Sequence, residues 1–118
     1  MDKNKLIGIV GPCGAGKSTL IADLKKSGYN ARQIAQEHSY VPDMWKRLSN
    51  PEILIFLVVS YSNTVIRRKL DWTENEYLEQ LKRLDHAYQH ANIIIDTNNL
   101  TSKQVFEKVI KLLYTNGK

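Results

Sequence analysis

Apolar positions along the chain follow two alternating rhythms, short unbroken runs and stripes at helical spacing. Residues 6–10 (Leu-Ile-Gly-Ile-Val) and 53–59 (Ile-Leu-Ile-Phe-Leu-Val-Val) are continuous runs, which predicts strands buried on both faces. Residues 93–95 are three isoleucines closing on Asp96-Thr97, a last strand, and residues 31–36 predict a short second one. Between these runs the spacing is helical. After Lys17, residues Leu20, Ile21 and Leu24 form a stripe that ends at Lys25-Lys26 and Gly28, a basic last turn followed by a glycine stop. Pro42 and Pro51 bracket a turn or two of helix at residues 44–48. Residues 60–63 offer N-cap side chains for a helix to about Leu70. Thr73 with Glu76 spells a capping box for a helix ending near His90, with Tyr77, Leu81, Leu84 and Tyr88 on one face. Thr101 with Gln104 spells another, with Val105, Val109 and Leu112 facing inward. Strands alternating with helices predict an α/β domain, a mostly parallel four-stranded sheet flanked by helices in three αβα layers, with residues 1–118 as one unit.

Size and charge narrow the function classes. A chain of 118 residues with 42% hydrophobic content fits one core. The longest apolar run is far shorter than a bilayer span, and the polar start at residues 1–5 does not read as a signal peptide. These features predict a soluble, cytoplasmic protein with no membrane partner. One cysteine, Cys13, excludes an internal disulfide framework. The net charge of +5 suits an anionic ligand. Its cations are scattered through the sequence without a nucleic-acid motif, so nucleic acid is not the expected partner.

The chemistry concentrates in residues 11–19, Gly-Pro-Cys-Gly-Ala-Gly-Lys-Ser-Thr, directly after the first apolar run. Gly11, Pro12, Cys13, Gly14, Ala15, Gly16, Lys17, Ser18 and Thr19 match the phosphate-binding pattern G-x-x-x-x-G-K-S in its required strand-before, helix-after setting. The glycines let main-chain N–H groups turn inward around a phosphate, and the helix starting near Lys17 points its positive dipole end at the same place. Lys17 is expected to reach the β- and γ-phosphates of a nucleoside triphosphate, and Ser18 to ligate Mg²⁺. Cys13 reads either as a small loop residue or as an oxidisable thiol.

The loop, the strand at 53–59 followed by Arg67-Arg68, and the ending Ile-Ile-Ile-Asp-Thr with a helix after it together resemble the small P-loop kinases, such as adenylate, cytidylate and shikimate kinases. The resemblance implies a P-loop NTPase fold, ATP and Mg²⁺ as cofactors, and a lid whose arginines clamp the transferring phosphoryl group, here Arg67 or Arg68. Of these Arg67 is slightly favoured, and helical spacing lets only one face the site. Thr97, Asn98 and Asn99 resemble the stretch that contacts the adenine. The chain departs from the pattern in lacking a fifth strand, which would carry an acid that orients the Mg²⁺ shell. Glu37, at the carboxyl end of the second strand, is the best replacement for that acid, and Asp43 is second. His38 could accept a substrate proton. Trp45, with Lys46 and Arg47, either recognises an acceptor or covers the sheet edge. Trp72 reads as a packing anchor, and His86 with His90 has zinc-compatible spacing but no evident third ligand.

Two functions remain open at this point. One is a small kinase that transfers the γ-phosphoryl group of ATP to an unidentified compact acceptor, with Lys17, an arginine and Glu37 as its catalytic groups. The other is a nucleotide-binding regulatory module, or a slow NTPase, that acts through a protein partner. An exposed sheet edge left by the missing strand could be covered by homodimerisation.

Overall fold

The computed structural model describes residues 3–116. The chain runs β1 (Leu6–Val10), α1 (Lys17–Lys26), β2 (Asn30–Gln33), a 3₁₀ turn (Gln36–His38), α2 (Met44–Leu48), β3 (Ile53–Val58), α3 (Tyr61–Arg68), α4 (Glu74–His90), β4 (Ile93–Asp96) and α5 (Ser102–Asn116). The strands form one all-parallel sheet in the order β2-β1-β3-β4. Among the described residues no strand stands between β1 and β2, which pair directly from Leu6 with Asn30 to Ile9 with Gln33.

The continuous apolar runs are buried because both sheet faces are covered. Ile7, Ile9, Ile53, Ile55, Leu57, Ile93 and Ile95 pack with Leu20, Leu24, Val105, Val109 and Leu113 in the layer under α1 and α5. Val10, Leu54 and Phe56 pack with Ile34, Trp45, Leu84 and Ala87 in the layer under α2 and α4. Each fully buried Ile or Leu contributes on the order of 2 kcal/mol relative to an exposed one. The second layer buries fewer residues, and Ile94 of the edge strand is 44% exposed.

Three sequence expectations shift. The second strand stops at Gln33 instead of running to residue 36. Gln36 is fully buried: its amide donates to the carbonyls of Val41 and Arg83, and its Oε1 accepts from Trp45 N at 2.7 Å. A buried amide must satisfy both of its ends, and this one does so by turning the chain into the 3₁₀ turn. In α4 the buried residues are Gln80, Leu84 and Ala87, whereas Tyr88 is 46% exposed. The helix is rolled so that its smallest apolar residue meets the sheet and Gln80 meets the phosphate loop. In α5 Leu113, four residues after Val109, is fully buried where Leu112 was expected. Both capping boxes form, Thr73 with Glu76 and Thr101 with Gln104. No described helix is long and apolar enough to cross a membrane.

Candidate phosphate-binding cleft at the carboxyl end of the sheet

β1 ends at Val10 in the middle of the sheet, and residues 11–16 carry the chain around into α1. Gly14 and Gly16 have φ of 88° and 94°, left-handed values that cost other residues about 1–2 kcal/mol. Gly16 is the N-cap of α1 and no side chain caps the helix. The first-turn N–H groups therefore keep their anion-binding capacity. Gln80 of α4, which the sequence reading missed, steadies the loop: its Oε1 accepts from Cys13 N at 2.9 Å and its Nε2 donates to Cys13 Sγ at 3.2 Å.

Lys17 is folded back and buried. Its Nζ donates to the carbonyls of Gly11 (2.5 Å) and Pro12 (3.2 Å) and pairs with Glu37 Oε2 at 2.9 Å. Glu37 is 2% exposed, held there because the 3₁₀ turn follows β2 directly. Its Oε1 is a buried oxygen with no hydrogen-bond partner on the chain, and so is available to a ligand. Ser18 Oγ reaches Gln33 Oε1 at 3.5 Å, at the end of β2. Cys13, Gly14, Ala15, Gly16, Lys17, Ser18 and Thr19 line a cleft of about 360 Å³ together with Glu37, His38 and Arg68.

Arg67 and Arg68, at the end of α3, point in different directions. Helix α3 is capped by Ser60, whose Oγ accepts from Asn63 N at 3.2 Å. Arg68 swings over the loop, its Nη2 lying 2.8 Å from the point a Cβ on Gly16 would occupy. Arg67 turns the other way and donates to the carbonyls of Thr97, Asn98 and Leu100. The slight sequence preference for Arg67 thus falls on the residue that braces the 97–100 turn, and Arg68 is the one in the cleft. Thr64 and Leu70 rest 3.1 Å from the point a Cβ on Gly14 would occupy, so the α3 segment sits on the loop. Trp72 anchors it by donating to Thr64 Oγ1 at 2.9 Å.

The segment likened to an adenine contact is engaged in structure. Thr97 is buried and donates to Val58 O through both its N–H and its hydroxyl. Asn98 Oδ1 accepts from Ser60 N and Asn63 Nδ2. Asp96 Oδ1 accepts from Asn98 N, an Asx turn that closes β4. Asn99 is exposed. Between this turn and the loop lies a crevice of about 20 Å³ bounded by Arg67, Arg68, Thr97 and Leu100, room for about one water.

The remaining candidates lie apart from the cleft. Asp43 accepts from Arg47 Nε at 2.9 Å on the exposed side of α2, and that hydrogen bond holds its carboxyl below the usual range. Trp45 is a core residue whose indole donates to His86 Nδ1 at 3.1 Å. His86 stacks on His90 with centroids 4.3 Å apart. On the far side of Pro12 a second cleft, about 260 Å³, opens between α4 and β3, lined by Phe56, Val58, Tyr77, Leu81, Asp85 and Tyr88. Tyr77 donates to Val59 O at 2.7 Å, and burial pushes its phenol above the usual pKa.

A glycine loop that leaves the central strand of an all-parallel sheet, enters an uncapped helix and ends in Lys-Ser defines a P-loop NTPase domain. The chain belongs to the family described as AAA domain, whose model matches residues 7–106. Among solved structures, the chain is similar to MlghC, a GDP-mannoheptose C4 reductase from Campylobacter jejuni with NADP bound. It matches with a TM-score of 0.48 at 18% identity, over 91% of this chain and 40% of the reductase chain. The chain thus spans well under half of that protein's length. No curated protein matches it in sequence.

Proposed function

We propose that this P-loop domain is a Mg²⁺-dependent phosphotransferase that moves the γ-phosphoryl group of ATP to a compact acceptor. The observation that carries the reading is the convergence of Lys17, the buried carboxylate of Glu37 and the Arg68 guanidinium on one cleft beside the glycine loop. Phosphoryl transfer needs positioning and charge neutralisation more than covalent chemistry, and these are the groups for it. The residues also fit the metal: Ser18 offers a hydroxyl and Glu37 an oxygen that lacks a hydrogen-bond partner. Mg²⁺, when bound, would neutralise phosphate charge through few protein ligands and several waters.

In this reading Lys17 leaves Glu37 and the two loop carbonyls to meet the β- and γ-phosphates. Main-chain amides of the loop hold the phosphate oxygens in place. Arg68 neutralises charge on the transferring group, while Arg67 ties α3 to the 97–100 turn and so positions Arg68. Admission of a base at that turn requires Arg67 to move outward, given the narrow crevice there. The cleft beyond Pro12 offers a compact acceptor a partly apolar place with Asp85 at its wall. Screening nucleosides, nucleotides and small hydroxy acids for acceptor-stimulated ADP release tests the proposal. ADP release that no acceptor stimulates, or none at all, would count against it.

A second reading, a nucleotide-binding module or slow NTPase acting through a partner, is favoured by one observation. The segment from the 3₁₀ turn to β3 is folded onto the core through Trp45 and Gln36, with only the five-residue α2 where an acceptor subdomain would stand. If it holds, ATP should change the oligomeric state or a partner's affinity, and the acceptor screen should give nothing.

A further inference from the structure

At the rim of the cleft, two side chains that the nucleotide reading leaves unused, Cys13 and His38, stand beside Glu37, which that reading employs. Cys13, Glu37 and His38 bring a thiol, a carboxylate and an imidazole together with their ligand atoms all within 4.8 Å of one another. Cys13 Sγ lies 3.8 Å from His38 Nε2, which lies 3.8 Å from Glu37 Oε2. A tetrahedral zinc ion with bonds of about 2.3 Å to sulfur and 2.0 Å to nitrogen sets those two ligands about 3.5 Å apart, so the pair needs to close by only a few tenths of an ångström. Two further observations point to a ligand. Glu37 is 2% exposed and its Oε1 has no hydrogen-bond partner. The Gln80 amide donates to Cys13 Sγ at 3.2 Å, the kind of outer contact that orients a metal-bound sulfur.

We propose that Cys13, Glu37 and His38 form a binding site for a thiophilic divalent cation of the zinc class, sharing the Glu37 carboxylate with the set suited to Mg²⁺ but adding a thiolate and an imidazole to it. Thiolate and imidazole select zinc-like ions over hard cations. Three protein ligands leave the fourth tetrahedral position open toward the cleft, where water or an anionic oxygen completes it. Binding forms a metal–sulfur bond as the Cys13 S–H bond breaks, and one proton goes to solvent. The charge balance is favourable: thiolate and carboxylate supply two negative charges, one of them shared with Lys17.

Cobalt(II), the spectroscopic stand-in for zinc, tests the site on the full chain without nucleotide. The expected result is one equivalent bound, a sulfur-to-cobalt charge-transfer band in the near ultraviolet, intense visible bands of tetrahedral cobalt, and displacement by zinc. Cys13→Ser should abolish the charge-transfer band. His38→Ala, at a side chain 61% exposed and so harmless to the fold, should weaken binding at least about 10-fold, the smallest loss typical of metal-site substitutions. Absence of the charge-transfer band, or a band of unchanged affinity in His38→Ala, overturns the proposal. Titration of ATP with Mg²⁺ into the metal-free protein keeps the two readings separate: a silent cobalt experiment leaves ATP binding standing, and absent ATP binding leaves the cobalt band standing.

Discussion

Glu37→Gln separates the resting state of the cleft from its working state. The substitution keeps the shape and one acceptor oxygen but removes the charge paired with Lys17 at 2.9 Å. Deleting one partner of a buried pair costs about 3–5 kcal/mol when the other charge is left alone. Lys17 is not left alone, since the carbonyls of Gly11 and Pro12 still accept from it. The new amide nitrogen can also take the position of Oε1, an atom that already lacks a partner. A loss of about 2 kcal/mol follows, near the middle of the range for hydrogen bonds to charged groups. For a domain of this size that lowers the melting temperature by roughly 8 °C. The pair exists in the free protein and must break when Lys17 turns to a triphosphate, so the same energy returns with opposite sign in the affinity. ATP without Mg²⁺ should bind the variant about 30-fold more tightly, 2 kcal/mol converted at 1.36 kcal/mol per decade. Turnover with Mg²⁺ should fall, because the carboxylate offered to the metal shell is gone. Thermal melting and calorimetric titration in a chelator measure the first two quantities. An unchanged melt, or Mg²⁺-free affinity that stays level or drops, would refute the idea that Glu37 latches Lys17.

Arg67 and Arg68 should part company on substitution. Arg68→Ala should lower kcat at least about 100-fold with a small change in ATP affinity, as for loss of a group acting on transition-state charge; equal losses in both would assign it to ground-state binding. Arg67→Ala removes three contacts to the 97–100 turn and should cost about 1–2 kcal/mol of stability, read from denaturant midpoints; an unchanged midpoint would contradict the bracing role. Gly16→Ala imposes a left-handed φ of 94° on alanine and sets its methyl 2.8 Å from Arg68 Nη2. It should destabilise by about 1–2 kcal/mol and weaken ATP binding, whereas a neutral outcome by melting and titration would mean that the loop relaxes freely.

The pattern of apolar runs and caps was enough to place the strands, the helices and the parallel sheet, because unbroken runs such as residues 53–59 have no stable place except between two layers. The loop at residues 11–19 declared itself because its chemistry lies in glycines and main-chain amides, which sequence spacing reports directly. What escaped were polar side chains used inside the fold. Gln36 bends the chain out of β2, and Gln80 steadies Cys13, yet both look like surface residues in a helical or strand period. The roll of a helix is equally hidden. Arg67 and Arg68 differ by about 100° around α3, and the choice between them was made by the carbonyls of the 97–100 turn. Of the two readings of Trp45, acceptor recognition and cover for the sheet, the second holds: it is buried against Leu54 and Phe56, and its indole donates to His86, four residues from His90 on the same helix.

Every role assigned to the cleft depends on main-chain amides around Gly14 to Thr19 wrapping a polyphosphate. Amide nitrogen–proton correlation spectra recorded as ATP and Mg²⁺ are added to the full chain test it most directly. The largest shifts should fall on Gly14, Gly16, Lys17 and Ser18, with a smaller change at Glu37 as its lysine departs. Saturable shifts confined to other parts of the surface, or none at millimolar nucleotide, would contradict it.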